Sequence, residues 1–95
     1  MEIGVKILGT FITEWEEGSI NTKILLDDPK IYIKQLIAIA KFYQFDGWFF
    51  NIENEIPEEY VPKMVNFLKD LTNQIHQEIP DSLVIWYLFI QNWNY

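Results

Sequence analysis

The sequence predicts an α/β chain, a parallel sheet made by consecutive β-α-β units with helices packed against it. Three observations predict it. Three apolar, β-branched or aromatic runs have strand length, and the segments between them carry apolar residues at helical spacing. No hairpin turn joins one run to the next, so each connection is a crossover and successive strands run parallel.

The elements follow in order. Residues 5–13, VKILGTFIT, suit a strand buried on both faces. The acidic and small residues from Glu14 to Ser19 suit a solvated loop or a helix start, and Asp27-Asp28-Pro29 a loop leading into a helix. Between Ile31 and Tyr43 the apolar residues Ile33, Leu36, Ile37 and Ala40 recur at helical spacing, about three turns with one face on a core. Gln44-Phe45-Asp46-Gly47 ends that helix. Gly47 is the residue able to take a tight helix-to-strand turn, and Asp46 is placed to close a turn by hydrogen bonding. A second strand is predicted over Gly47 to Glu53 and a loop over Asn54 to Pro57. Pro57, Glu58 and Glu59 make a good first helical turn, because proline lacks a donor that is unused there and acids suit the positive helix end. Val61, Met64, Val65, Leu68, Leu71 and Ile75 then run at helical spacing to about Glu78. Pro80 closes this helix, and Ser82–Phe89, SLVIWYLF, is the third strand.

At 95 residues the chain is one small domain or part of a larger one. A globule of this size buries little more than about 60% of its unfolded surface. Yet 49% of the residues are hydrophobic, and seven Phe, five Tyr and four Trp bring the aromatic share to 17%. Either the chain associates or it belongs to a larger fold, and the second is the expectation. Doubly wound sheets and (β/α)₈ barrels are both built from this alternation. A barrel needs about 250 residues, so this chain would supply three of its eight strands.

Charge and cysteine content exclude several functions. Fourteen acidic residues against seven Lys and no Arg give a net charge of −7, which argues against a nucleic-acid partner. Zero Cys excludes disulfides, thiolate metal sites and a Cys nucleophile, and a single His makes no metal centre. No cofactor is expected. There is no run of about 20 apolar residues for a membrane span, no signal-peptide pattern and no Asn-x-Ser/Thr sequon. The last two fit a cytoplasmic protein.

One segment stands out chemically: Asp46–Asn54, DGWFFNIEN. Strand alternation puts Gly47, Phe49, Asn51 and Glu53 on one side and Trp48, Phe50 and Ile52 on the other, under the helices. Asn51 and Glu53 thus share a face at the C-terminal end of an otherwise apolar strand, the end where parallel α/β folds gather their ligands and catalytic groups. An alternative from pattern alone is that the strand ends at Phe50 and that Asn51 to Asn54 form a solvated loop. Phe11 and Trp15, on and after the first strand, could pack in a core or hinge. Trp48 and Trp86 are expected to face the helices, and His76 to be structural.

LGTFITEW (Leu8–Trp15), AIAKFYQFDGWFFNIEN (Ala38–Asn54), FLKDLTNQIH (Phe67–His76) and LVIWY (Leu83–Tyr87) resemble, in order, parts of glycoside hydrolase family 85. These are endo-β-N-acetylglucosaminidases that cut the chitobiose core of N-glycans. Chitinase-like family 18 strands read Asp-Gly-x-Asp-x-Asp-x-Glu. Against that pattern this chain keeps Asp46, Gly47 and Glu53, but has Phe49 at the middle acidic position and Asn51 at the acetamide-facing one.

The resemblance implies a partial catalytic domain over residues 1–95, part of a TIM barrel, acting on N-glycan oligosaccharide or glycoprotein. It implies substrate assistance, an exception to the two-carboxylate scheme. Asn51 would orient the acetamide, and Glu53 would serve as acid and then base. A glutamic acid of ordinary pKa, near ~4.3, is ionised at neutral pH. Glu53 would therefore need partial burial or a tyrosine partner, and Tyr87 matches a family tyrosine suited to that task, the alternative being an ordinary sheet-packing tyrosine. Phe11 and Trp15 would contact substrate. Where the family continues with Asp after Trp-Tyr, this chain has Leu88, and the resemblance stops there. The barrel's first strand and those beyond the third are expected to be missing. That leaves exposed strands open to self-association and the isolated chain with little or no turnover.

Overall fold

A computed structural model describes residues 4–90, with side chains through residue 88. The elements are β1 (Gly9–Thr13), α1 (Trp15–Asp27), α2 (Pro29–Tyr43), β2 (Gly47–Ile56), a 3₁₀ turn at Glu58–Tyr60, α3 (Val61–Glu78) and β3 (Leu83–Ile90). The strands form one parallel sheet in the order β1-β2-β3, as the alternation of elements predicts. The helices cover one face. Phe50, Ile52 and Ile56 of β2 meet Leu25 and Leu26 of α1, Ile33, Leu36, Ile37 and Ala40 of α2, and Met64, Phe67, Leu68, Leu71 and Ile75 of α3 in a single core. Each large apolar side chain so buried contributes about 1.5–3 kcal/mol. No helix among the described residues is long and apolar enough to cross a membrane.

The four α2 residues picked out by spacing are the four that α2 buries. In α3, Phe67 joins the core and Val65 stays exposed. Trp48 is buried beneath α2 and donates its indole N–H to the Leu36 carbonyl at 2.9 Å. Pro57 caps the 3₁₀ turn, and α3 begins only after it, at Val61.

Two expectations need correction. The first crossover contains an additional helix, α1, where sequence predicts loop followed by a helix start. Its buried residues are Gly18, Thr22, Leu25 and Leu26, a helical spacing in which two positions are small or polar. An apolar pattern cannot show such a face. Secondly, β1 starts at Gly9 rather than residue 5, because β2 begins at Gly47 and Gly9 pairs with Trp48. Val5 and Ile7 precede the ladder and are exposed. The end of α2 falls where the sequence predicts, at the start of Gln44–Gly47: Gln44 takes the left-handed conformation at φ 61°, with its N–H directed at the Ala40 and Lys41 carbonyls.

Gly47 has a different constraint. Its φ is 148°, and a Cβ there would lie 1.8 Å from the Leu83 carbonyl oxygen. Only glycine lets β2 and β3 start this close together. Asp46 ties the same end. Its carboxylate accepts from the Ile7 N–H at 2.7 Å, its own N–H donates to the Ile7 carbonyl at 2.6 Å, and its carbonyl accepts from the Leu83 N–H at 2.9 Å. It bridges the strand entries rather than closing a local turn.

Candidate active site

Along β2, Trp48, Phe50, Ile52, Asn54 and Ile56 are buried, whereas Phe49 and Asn51 are half-buried and Glu53 and Glu55 exposed. The polar pair therefore occupies the sheet face that no helix covers. It also lies within the strand, which continues to Ile56 instead of fraying into loop at Asn51. Ile12 of β1 and Tyr87 of β3 stand opposite Asn51 on either side. Residues level with one another in a parallel ladder project to the same face, so Ile12, Asn51 and Tyr87 form one row with Glu53 beyond it.

The Asn51 Nδ2 donates to Glu53 Oε2 at 3.2 Å. Two residues apart on one strand is the spacing that lets side chains on the same face meet. The contact uses one amide hydrogen and one carboxylate oxygen. Asn51 keeps a second N–H and its carbonyl, and Glu53 keeps Oε1, for a ligand. A carboxylate and an amide that can both donate and accept are thus presented on one side of the sheet.

Glu53 sits in an irregular stretch of the sheet. The β1 pairing ends at Thr13 with Ile52. On the other side Ile52 pairs with Leu88 and Glu55 with Phe89, so β2 advances three residues while β3 advances one. Glu53 and Asn54 form the resulting bulge, a device that re-aims side chains beside active sites. Asn54 points under the sheet and is buried, with its Nδ2 3.3 Å from both Thr22 Oγ1 and the Glu55 carbonyl. The sequence pattern predicts Asn54 in a loop. Extending the β2 alternation through Ile56 would have shown it as a polar residue at a buried position.

The remaining candidates divide. Tyr87 is 59% exposed and lies beside Asn51, one step short of Glu53. Glu53 itself is exposed, so burial of the carboxyl is not a feature of this chain. Trp15, at the C-terminal end of β1, is 79% exposed and has φ 62°. The left-handed conformation is unfavourable for a bulky side chain, and such strain concentrates at functional positions. Phe11 is not in the row. It pairs with Phe50 in register and shares its face, packing its ring 5.1 Å from the Phe50 ring on the helix side. Trp86 has the same parity as Phe50 but stays partly exposed at the edge. His76, on the last turn of α3, borders a shallow cleft with Lys6, Asp81 and Ser82 at the opposite end of the sheet.

The amide–carboxylate pair thus lies within the central strand of a parallel sheet, on the face that no helix covers. Residues 2–92 match the sequence model of glycosyl hydrolase family 85. The chain is 46% identical over 87 residues to cytosolic endo-beta-N-acetylglucosaminidase 2 of Arabidopsis thaliana. It is 46% identical over 88 residues to the cytosolic endo-beta-N-acetylglucosaminidase of Mus musculus, and 44% over 88 residues to that of Homo sapiens. Each alignment covers 88% of this chain and 12% of the relative, so the chain spans a small part of those proteins. No solved structure matches it. The chain belongs to glycosyl hydrolase family 85.

Proposed function

We propose that this chain carries the acid/base strand of a cytosolic endo-β-N-acetylglucosaminidase acting on the chitobiose core of N-glycans, and that its sheet is a segment of a (β/α)₈ barrel wall. The observation that carries the reading is the Asn51–Glu53 hydrogen bond on the uncovered face of β2. Family membership and the relatives' names support the substrate class.

In this reading the acetamido oxygen of the bound sugar attacks its own anomeric carbon. The bond to the second sugar breaks as Glu53 gives a proton to the leaving oxygen. Asn51 holds the acetamide and stabilises the oxazoline-like intermediate through its side-chain amide. Water then attacks the anomeric carbon, Glu53 takes its proton, and configuration is retained. Tyr87, level with Asn51, adds a hydroxyl to the same row, and Trp15 offers an exposed indole for a sugar face.

Water reaches Glu53 freely on this open face, and electrostatic stabilisation is weak where water is not excluded. The isolated chain is therefore expected to turn over core oligosaccharide poorly or not at all. The decisive test is to graft residues 2–92 into the Arabidopsis relative in place of its matched segment. Turnover should survive the graft and fall about 10²-fold or more on Glu53→Gln. Turnover of the graft indifferent to Glu53→Gln would sink the assignment.

A second reading follows from the exposed Ile12, Ile85 and Tyr87 on the same face: a non-catalytic surface that binds glycan or protein. Glycan binding without turnover, unchanged by Glu53→Gln, would favour it.

A further inference from the structure

We propose that Asn54 is a positioning residue that sets the direction of Glu53 by anchoring the β2 bulge to α1. This rests on the acid/base reading of Glu53 given above.

Glu53 and Asn54 have no place in either ladder, because the β1 pairing stops at Ile52 and the β3 pairing skips from Ile52 to Glu55. In regular sheet the backbone hydrogen bonds on both sides fix where a side chain points. At this bulge something else must do so. Asn54 is the residue with the means, since successive strand residues project to opposite faces and its position determines that of Glu53.

The Asn54 side chain is held on three sides. Its Nδ2 lies 3.3 Å from the Thr22 hydroxyl on α1 and 3.3 Å from the Glu55 carbonyl on its own strand. A carbonyl accepts only, so the Glu55 contact fixes which end of the amide is nitrogen. The other end, Oδ1, is buried without a hydrogen-bond partner among the described residues and is pressed toward the first turn of α1. A Cβ on Gly18 would lie 2.7 Å from that oxygen and 3.0 Å from the Thr13 carbonyl carbon. Glycine at 18 is what lets α1 close over Asn54.

A buried amide with one orphaned end is a poor choice for packing alone, because an apolar residue at that position would bury no unsatisfied oxygen of its own. The arrangement makes sense if direction is the requirement. Thr22 and the Glu55 carbonyl together define one rotamer of Asn54, and through the strand alternation one aim for Glu53 toward Asn51.

The test reads the Asn51 side-chain amide in nitrogen–proton NMR spectra of the 95-residue chain, which needs no turnover. Glu53→Gln removes the carboxylate that Asn51 Nδ2 meets and supplies the reference shift. Asn54→Ala, Gly18→Ala and Thr22→Val then remove the anchor from three directions. Gly18→Ala acts from α1 and favours its helix, while Thr22→Val keeps the side-chain shape. The expected result is that all three move the Asn51 amide signals in the direction of the Glu53→Gln shift, while Tyr87 and the core methyls keep their positions. Folded variants whose Asn51 signals stay at wild-type positions would overturn the proposal. So would loss of cooperative folding in all three, which would make the cluster a stability element only. If Asn51 does not respond to Glu53→Gln, the paired site fails and this inference with it. Loss of the glycosidase reading alone, by the graft assay, would leave the NMR response intact.

Discussion

Asn51 stands level with Tyr87 across the β2–β3 ladder, and its amide reaches along β2 to Glu53. The row places a phenol, an amide and a carboxylate on one side of the sheet without any helix intervening. Tyr87 is thus nearer in register to the residue assigned to the acetamide than to the acid. In the grafted enzyme, Tyr87→Phe should lower turnover by about tenfold, less than the 10²–10⁴-fold typical of losing a general acid/base. A loss as large as that of Glu53→Gln would show that the tyrosine takes a direct part in proton transfer. Steady-state rates on one core oligosaccharide separate the two.

Gly47→Ala should be among the most damaging single substitutions in the chain. The new methyl would fall 1.8 Å from the Leu83 carbonyl oxygen, at a φ that side chains rarely adopt. Backbone strain alone costs about 1–3 kcal/mol, and the overlap forces β2 and β3 apart in addition. A denaturant midpoint within error of wild type would contradict the register drawn between these strands.

Trp48→Phe should cost about 1–2 kcal/mol, measured by chemical denaturation. It removes the donation from Trp48 Nε1 to the Leu36 carbonyl inside the core and leaves a small void beneath α2. Trp48→Tyr is expected to do no better, because its hydroxyl cannot reproduce the geometry of the indole N–H.

Trp15→Gly should leave stability unchanged or raise it by about 1 kcal/mol, since a left-handed backbone costs a side-chain-bearing residue roughly 1–2 kcal/mol. If the exposed indole contacts sugar, the same change weakens binding of core oligosaccharide. Titration calorimetry on the grafted enzyme reads the affinity and thermal unfolding the stability. Unaltered affinity would remove Trp15 from the site.

Much of this was legible in the chain itself. The alternation from Gly47 to Phe50 assigned side chains to the covered or uncovered side, and it does the same for Asn51, Ile52 and Glu53 once the strand continues. The spacing of Ile33, Leu36, Ile37 and Ala40 did the same for α2. Where the sequence misled, a local pattern had two outcomes. The α1 face is built on Gly18 and Thr22, whose burial carries no apolar signal. Phe11 suits a sugar platform or a core equally well until a partner strand assigns it a face.

By itself the DGWFFNIEN segment left Asn51 and Glu53 either on one face of a continuing strand or in a loop after Phe50, and the run of β2 to Ile56 decided for the strand. Their meeting at 3.2 Å, their level with Tyr87 and the bulge that carries Glu53 were decided only by tertiary structure. The physical reason is that alternation is a property of one strand, whereas register and bulges exist only between strands. Here they depend on what Gly47 lets β3 approach and what Gly18 lets α1 cover.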